Sequence, residues 1–473
     1  MKPSEVARFL VLPLLLAFAL RADAQSADTL LEVKQFLNLV RAYHPVVKQA
    51  ELVPVKARFD LRAERGNFDP KLRADLTEKR FDSKEYWNAL DAHLKIPAWI
   101  GEFKAGYERA RGDFLNPMNR IPEAGIWYAG YSLPLGAGLL MDERRNTLRQ
   151  AQQYVIASEA EQLKLVNKFL TEAASDYWQW YFTYKQLEFV EEGYRLAEVR
   201  FTAIRDLFLN GNMSALDTVE AYTNFLQREI QRRQARLDYR NARLVVSRHL
   251  WSNELQPLEL DSVVRPAFIE ADQYLPTLAV LDTLQQFARS AHPEIRKLEA
   301  RLSQLDFERR FRVEMLKPEF TLNYNFLREP GVSGPIDQAL LMNNYKFGIT
   351  AGMPLLYRKE RGKLQGTRTL IRMTGWERDD TRRVVLTELQ MNYNTLLNTY
   401  TILQDQYKLV EAYNTMVAGE QQRFTNGESS VFLINARENT LVSAGVKLAE
   451  LEMKYAKAIA YFYQSAGLVN WNY

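Results

Sequence analysis

Cysteine is absent from the 473 residues, and histidine occurs only four times, as His44, His93, His249 and His292. Without cysteine the chain can form no disulfide, no thiolate metal site and no lipid-modified cysteine. None of the histidines has a second histidine at metal-binding spacing, so no metal ligand is predicted. The net charge is only +4. Nucleic-acid binding normally needs a concentrated basic face, and no such partner is expected.

Catalytic motifs are also missing. The sequence contains no nucleophile elbow, no H-E-x-x-H and no Walker loop, the short motifs that most often announce hydrolytic or nucleotide chemistry. The paired carboxylates Glu191-Glu192 and Asp379-Asp380 stand in helical charge patterns that are typical of a solvated surface. The chain is therefore predicted not to be an enzyme, with no catalytic residue and no cofactor.

Long apolar runs are confined to the N-terminus. Lys2 and Arg8 precede an apolar stretch from 9 to 20, and Ala22-Asp23-Ala24 follows as an A-x-A cleavage site. This pattern predicts an export signal over 1–24, and the stretch is too short for an anchor helix. No later run is long enough for a transmembrane helix. An exported chain of this kind is periplasmic, secreted, or held in the outer membrane as β-structure.

Internal similarity divides the remainder into two copies, 25–265 and 266–473. His44-Pro45 in the first copy returns as His292-Pro293 in the second. Proline suits the first position of a helix, where its missing N–H is not needed. Each pair therefore predicts a helix start, and each histidine is expected to cap that helix rather than to act in catalysis.

A block of alternating residues follows in each copy, at about 70–135 and about 318–354. Apolar and polar residues alternate in up to four segments of the first block and in two of the second, which predicts β-strands. Each block ends in Pro-Leu, at Pro134 and at Pro354. The pattern fits a soluble sandwich with one wet face, and its aromatic content also fits a membrane barrel.

Long helical hairpins are predicted next, at about 140–250 and about 357–467. Apolar residues keep a spacing of three and four through both, which indicates coiled-coil packing. Arg228, Arg232, Arg236 and Arg240 form a row that reads as a solvated face or as a basic docking face. Each hairpin turns at a glycine followed three residues later by a serine cap. The expected tip residues are Arg200, Phe201, Gly211, Ser214 and Asp217 in the first copy, and Arg423, Phe424, Gly427 and Ser430 in the second.

The order of these features, twice over, resembles the TolC-like outer membrane factor family. The resemblance covers essentially the whole chain after 1–24. It implies an α+β membrane protein in which three copies share one outer-membrane β-barrel, continued across the periplasm by a long α-helical barrel of coiled-coil hairpins. It also implies a passive exit duct of a tripartite efflux or type I secretion system, working with a periplasmic adaptor and an inner-membrane transporter.

The resemblance further implies that the helix tips close the periplasmic entrance and contact the adaptor. Asp217 matches the acidic position that often lines this entrance, whereas Leu433 replaces it in the second copy. Seven additional residues separate Arg200-Phe201 from Gly211, and the first copy has more strands than the usual two. The additional strands enlarge the barrel or form loops outside it. The alternative function is a periplasmic adaptor or a structural coiled-coil protein of an export complex.

Overall fold

The computed structural model describes residues 30–116, 120–268, 275–331 and 343–468. The predicted export signal at 1–24 lies outside these residues. The two halves of the described chain have the same order of elements: a short strand, two helices, a block of longer strands and two long helices. The helices are α1 (Val33–Tyr43), α2 (Pro45–Arg65), α3 (Glu143–Leu209), α4 (Ala215–Ser247), α5 (Leu278–Ala291), α6 (Pro293–Glu314), α7 (Arg358–Thr425) and α8 (Val431–Ser465).

Both predicted histidine caps are confirmed. The Nδ1 atom of His44 accepts a hydrogen bond from the backbone N–H of Val46 at 3.1 Å, at the start of α2. His292 caps α6 in the same way, accepting from the N–H of Glu294 at 3.3 Å. In each case the following proline occupies the first helical position, so the chain bends between two consecutive helices without leaving a buried N–H unpaired.

Six strands form one sheet in which neighbouring strands are antiparallel, in the order β2-β3-β4-β5-β7-β8. Four come from the first half of the chain and two from the second. A separate parallel pair joins β1 (Leu30–Leu31) to β6 (Arg265–Pro266). The six strands are β2 (Lys71–Phe81), β3 (Lys84–Pro97), β4 (Glu102–Arg111), β5 (Ile126–Pro134), β7 (Glu319–Arg328) and β8 (Tyr345–Gly352).

The register of this sheet places apolar and polar residues on opposite faces, because cross-strand partners point the same way. One face is called here the apolar face. It carries two arginines, Arg109 near the end of β4 and Arg328 at the end of β7. The other, the polar face, carries residues such as Asp75, Lys104 and Asn323. The apolar face consists of Leu72, Ala74, Leu76, Leu90, Ala92, Leu94, Ile96, Phe103, Ala105, Tyr107, Trp127, Ala129, Tyr131, Leu133, Phe320, Leu322, Tyr324, Phe326, Tyr345, Phe347, Ile349 and Ala351.

The hydrophobic core lies among the helices. In α3 the side chains of Tyr177, Trp178, Trp180 and Tyr181 are almost completely buried, where they pack against α1, α2, α4 and α8. A second cluster joins α5, α7 and α8. Helix α8 therefore belongs to both clusters and connects the first hairpin (α3 and α4) to the second (α7 and α8).

Helices α4 and α7 lie at the two flanks of this arrangement, since α4 packs on α3 and α7 packs on α8. Periodicity in α4 predicts a buried apolar row, yet in the single chain Ile230 is 68% and Leu237 is 51% exposed. Burial of this row is therefore not seen within the single chain. None of the described helices is both long enough and apolar enough to cross a lipid bilayer.

Candidate functional site at the helix tips

The first hairpin reverses at Gly211, as the sequence predicts. Helix α3 ends at Leu209, and Gly211 adopts a φ of 77°, in the left-handed region that favours glycine. The N–H of Asn212 donates to the carbonyl of Leu207 at 2.9 Å, and the N–H of Gly211 donates to that of Phe208 at 2.9 Å. This pair of bonds is a Schellman motif, which satisfies the last carbonyls of the helix.

The second hairpin repeats this geometry. Gly427 has a φ of 78°, the N–H of Glu428 donates to the carbonyl of Arg423 at 2.9 Å, and that of Gly427 donates to Phe424 at 3.1 Å. Ser430 then caps α8 by accepting from the N–H of Leu433 at 3.3 Å. The two turns are therefore built alike from a local sequence pattern that they share.

Asp217 stands in the first turn of α4 and is tied to the cap. The hydroxyl of Ser214 donates to the Asp217 carboxylate at 2.6 Å, while the backbone N–H of Asp217 donates back to the same hydroxyl at 3.1 Å. A negative charge here is also stabilised by the positive end of the helix dipole. Leu433, the corresponding residue of α8, adds no charge, so the two tips differ electrostatically.

The tips pack against each other. Ile204 of α3, Ala221 of α4 and Val431 of α8 are buried together, and Phe201 and Phe424 lie against them. The fold therefore brings the two predicted phenylalanines into one apolar cluster. Gly211 and Gly427 stand clear of it, since a side chain added at either position would meet no atom within 4 Å.

Arg200, predicted as a tip residue, lies away from the turn and is buried. It lies nine residues before the end of α3, which is about 13 Å along the helix, and only 8% of it is exposed. Its guanidinium donates to Asn435 at 2.9 Å and forms a two-pronged ion pair with Glu438 of α8, which is equally buried. The additional residues between Arg200 and Gly211 move this arginine away from the turn and into the junction between the hairpins.

Arg423, by contrast, is exposed at its tip and points toward Glu420, which the sequence analysis did not single out. Glu420 is 7% exposed; it accepts from the hydroxyl of Ser429 at 2.5 Å, and its carboxylate lies 4.0 Å from Arg423 and 3.9 Å from Arg437. Burial of a carboxylate requires such partners. Glu420 and Glu438 escape sequence analysis because ordinary helical surfaces carry the same residue types.

The arginine row of α4 is only partly solvated. Arg228 is buried, donates to Gln231 at 2.9 Å and to Asn439 of α8, and burial lowers its pKa. Arg236 pairs with Glu191 of α3 at 2.6 Å on the outside. The interpretation of the row as one solvated face is therefore wrong for Arg228, which bonds across the junction between the hairpins.

A further polar contact joins three helices above this junction. The hydroxyls of Tyr181 of α3 and Tyr407 of α7 donate to the two carboxylate oxygens of Glu452 of α8, at 2.8 and 2.7 Å. Burial raises the pKa of Glu452. Among the described residues, no three His, Asp or Glu side chains lie together in a group that could hold a metal ion. The arrangement is a helical junction held together by buried, paired polar side chains.

Solved structures of bacterial outer-membrane channels have the same fold as this chain over nearly its whole length. MtrE of Neisseria gonorrhoeae, an outer membrane channel in its open state, matches with a TM-score of 0.67 at 13% identity, over 94% of this chain and 93% of its own. CmeC of Campylobacter jejuni, also an outer membrane channel, gives a TM-score of 0.64 at 13% identity, over 92% and 85%. The outer membrane protein VceC of Vibrio cholerae gives 0.64 at 12%, over 92% and 96%.

This chain has the fold of the outer-membrane channels. The outer-membrane channel fold predicted by the sequence is thereby confirmed for a single chain. No protein-family model matches the sequence, and no curated protein sequence matches it either. The likeness is thus one of three-dimensional structure, and closure of the sheet and assembly of three chains stay predictions.

Proposed function

We propose that three copies of this chain form a passive exit duct in the bacterial outer membrane, as the terminal component of an efflux or type I secretion system. The observation that carries the proposal is the full-length likeness to outer membrane channels. The match to MtrE covers 94% of this chain and 93% of the MtrE chain. Conduction through such a duct requires a water-filled path and a gate, and no bond-making chemistry.

Exposed apolar rows on the flanking helices support assembly with further copies. The row on α4 is Leu216, Val219, Tyr222, Leu226, Ile230, Leu237 and Leu244, and the row on α7 is Leu370, Met373, Trp376, Val384, Met391, Ile402, Leu409 and Met416. The members of each row are separated by three or four residues or by sums of these numbers, which keeps each row on one helical face as in a coiled-coil seam. Because they lie on opposite flanks, α4 of one copy can pack against α7 of the next, and the ring closes.

The sheet and the helices divide the duct between lipid and periplasm. The apolar face supplies the lipid-facing wall that an outer-membrane barrel needs, and the polar face supplies the lumen. Helices α3 and α7 contain 67 and 68 residues, which is about 100 Å each. Rods of that length fit a periplasmic tunnel that reaches from the outer membrane toward the inner one.

The helix tips form the gate in this proposal. Asp217, Ser214 and Gly211 on one tip, with Arg423 and Ser430 on the other, would face the periplasmic entrance and the adaptor protein. The adaptor and its inner-membrane transporter open the gate by binding the open arrangement more tightly, because a ligand shifts a two-state equilibrium only through differential affinity. Arg200 lies in α3 behind the tip, where its ion pair with Glu438 holds α3 against α8.

The test combines location, assembly and one matched pair of variants. The mature protein should fractionate with outer-membrane lipid, require detergent, and appear in negative-stain images as elongated trimers. Ile230→Lys places a charge in the α4 row and should abolish trimers, whereas Gln227→Lys adds the same charge beside the row and should not. A monomer that stays soluble without detergent would contradict the duct and favour the alternative, a periplasmic adaptor or structural coiled-coil protein.

A further inference from the structure

The six-stranded sheet carries an inference about the width of the duct, and this inference rests on the proposed trimer. The contribution of each chain includes β2 and β3, whose place in or outside the wall the sequence leaves open. The ladder between β3 and β4 is continuous over ten residue pairs, from Asn88↔Arg111 to Pro97↔Glu102. Strand β2 pairs with β3 over its whole length. Both strands therefore continue the sheet instead of folding away from it.

The apolar face extends across the part of β2 and β3 that adjoins the helices, and it ends at the pair Glu78↔Asn88. Leu72 lies beside Leu94, which lies beside Ala105 of β4, and the same line reaches Ala129 of β5. A hairpin outside the membrane would have no reason to keep one face apolar from Leu72 to Leu76 in β2 and from Leu90 to Ile96 in β3. The alternation instead matches that of the four remaining strands, which fits contact with the same lipid.

The stagger of the strands also accumulates in one direction, since each step between neighbouring strands adds either two residues or none. Successive pairing partners connect Lys71, near the periplasmic end of β2, through four intervening strands to Lys346 of β8. Lys346 stands six residues before Gly352, where β8 ends. The five steps from β2 to β8 thus add up to a shift of six residues, which is about one residue per step. With a rise of about 3.3 Å and a spacing of about 4.8 Å, that shift corresponds to a tilt of about 35°, as closed barrels require.

The two edges of the sheet are complementary. Strands β2 and β8 run in opposite directions, because they stand at the ends of an antiparallel sheet with an even number of strands. With a shift of six residues per chain, Ile349 of one copy lies opposite Ala74 of the next, and both belong to the apolar face. A shift of five or seven would place apolar residues opposite polar ones, so the even shift also preserves the faces.

We infer that the outer-membrane part of the duct is a barrel of eighteen strands, six from each of three chains, closed by antiparallel pairing of β8 with β2 of the neighbouring copy. Barrel diameter grows roughly in proportion to strand number, and barrels of 16–18 strands enclose an aqueous channel. A barrel of this width does not limit the size of the solute. Size selection in the duct therefore lies in the helices and their tips.

The polar face gives this wide lumen no strong charge preference. Arg73 pairs with Asp75 at 2.7 Å, and Lys104 pairs with Glu102 at 3.0 Å. Asp91 accepts from the hydroxyl of Tyr128 at 3.0 Å. Both signs are interspersed, so the lumen favours neither cations nor anions. The inference thus extends to cargo: large hydrophilic solutes of either charge pass the outer-membrane segment once the tips admit them.

The direct test is electron cryomicroscopy of the detergent-solubilised full chain. We expect a wall of eighteen strands; a trimer whose wall contains twelve strands, with β2 and β3 outside it, would overturn the inference while leaving the proposed duct intact. Absence of any trimer would overturn both. Removal of residues 71–101 keeps the direction of every remaining strand, and the resulting barrel should be narrower by about a third.

Cross-linking tests the same point independently, because the native chain has no cysteine. The double variant Ala74→Cys with Ile349→Cys should give covalent trimers with a short bifunctional thiol reagent. The matched control, Ala105→Cys with Ile349→Cys, joins the positions that would meet if β4 were the edge strand, because four strands shift by four residues. Trimers from the control pair in place of the first pair would overturn the inference.

Discussion

At the residue scale, the two cap histidines couple helix geometry to pH. His44 is buried, and its pKa is lowered to about 4, first by burial and next by the neighbouring His249. Burial also lowers the pKa of His292. An imidazole in an unfolded chain binds its proton near pH 6.5. The unfolded state therefore binds more protons between pH 6.5 and 4, so this stability is complete above about pH 6.5 and is lost as the pH falls toward 4.

His44→Asn tests this coupling, because asparagine caps a helix without titrating. We expect the wild-type protein to lose stability between pH 7.5 and pH 5, by at most roughly 1.4 kcal/mol per pH unit for each histidine. The variant should lose less over the same range. Thermal unfolding in detergent, followed by circular dichroism, measures the difference, and His292→Asn should behave alike. Identical pH profiles for the wild type and both variants would show that the two histidines do not cause the loss of stability at low pH.

Asp217 lends itself to a second residue-scale prediction. Asp217→Ala removes the partner of the Ser214 hydroxyl and one negative charge from the first tip of each chain, which should weaken closure of the gate. A loss of about 1 kcal/mol corresponds to a roughly fivefold change in the opening equilibrium, so single-channel conductance in a planar bilayer should rise. Asp206→Ala removes an exposed charge of α3 that lies 3.4 Å from the guanidinium of adjacent Arg205, and should change little. An unchanged conductance for the Asp217 variant would contradict its gate role.

At the element scale, the reversal of α7 into α8 depends on one backbone angle. Gly427 has a φ of 78°, which proline cannot adopt and which asparagine tolerates better than most residues. Gly427→Pro should impair export strongly while trimers still assemble, because the packed parts of the hairpins lie elsewhere. Gly427→Asn should retain export. Transport assays with a compatible pump, alongside native gels, separate the two effects, and normal export by the proline variant would show that the tip is misplaced.

Close packing between α3 and α8 depends on another glycine. A side-chain carbon added at Gly445 would lie 2.6 Å from the ring of Phe189, so Gly445→Ala forces the two helices apart. Overpacking of this kind costs about 1–3 kcal/mol. Gly375→Ala in α7 meets no atom within 4 Å and should be neutral or stabilising by up to about 1 kcal/mol. Denaturant unfolding of both variants is the measurement; equal stabilities would argue against a close approach at Gly445.

Local features of these elements were predictable, and distant pairings were not. The cap positions of His44, Ser214 and Ser430 follow from bonds within three residues, which a sequence pattern reveals directly. Glu438 pairs with Arg200 across 238 positions, and no spacing rule connects them. The alternation predicts up to four strands before Pro134, yet whether β2 and β3 continue the sheet depends on register, which only the three-dimensional pairing reveals.

At the scale of the whole molecule, the buried Arg200–Glu438 pair fastens one hairpin to the other. Arg200→Ala leaves a buried carboxylate without its partner, which typically costs about 3–5 kcal/mol. Replacing both residues with apolar ones, Arg200→Met with Glu438→Leu, should recover most of that loss, because no charge then remains buried. Chemical denaturation of the three proteins checks the expectation. A double variant as unstable as the single one would show that the pair is not the source of the effect.

The open sheet also bears on how such a protein reaches its destination. A lone chain exposes two unpaired strand edges and an apolar face six strands wide, and exposed edges of this kind favour aggregation. In the proposed trimer, the strand edges and the apolar face are covered only when one chain meets two further copies. If the proposed trimer forms, association of the chains and their insertion into lipid are coupled, and the strands need shielding from water until then.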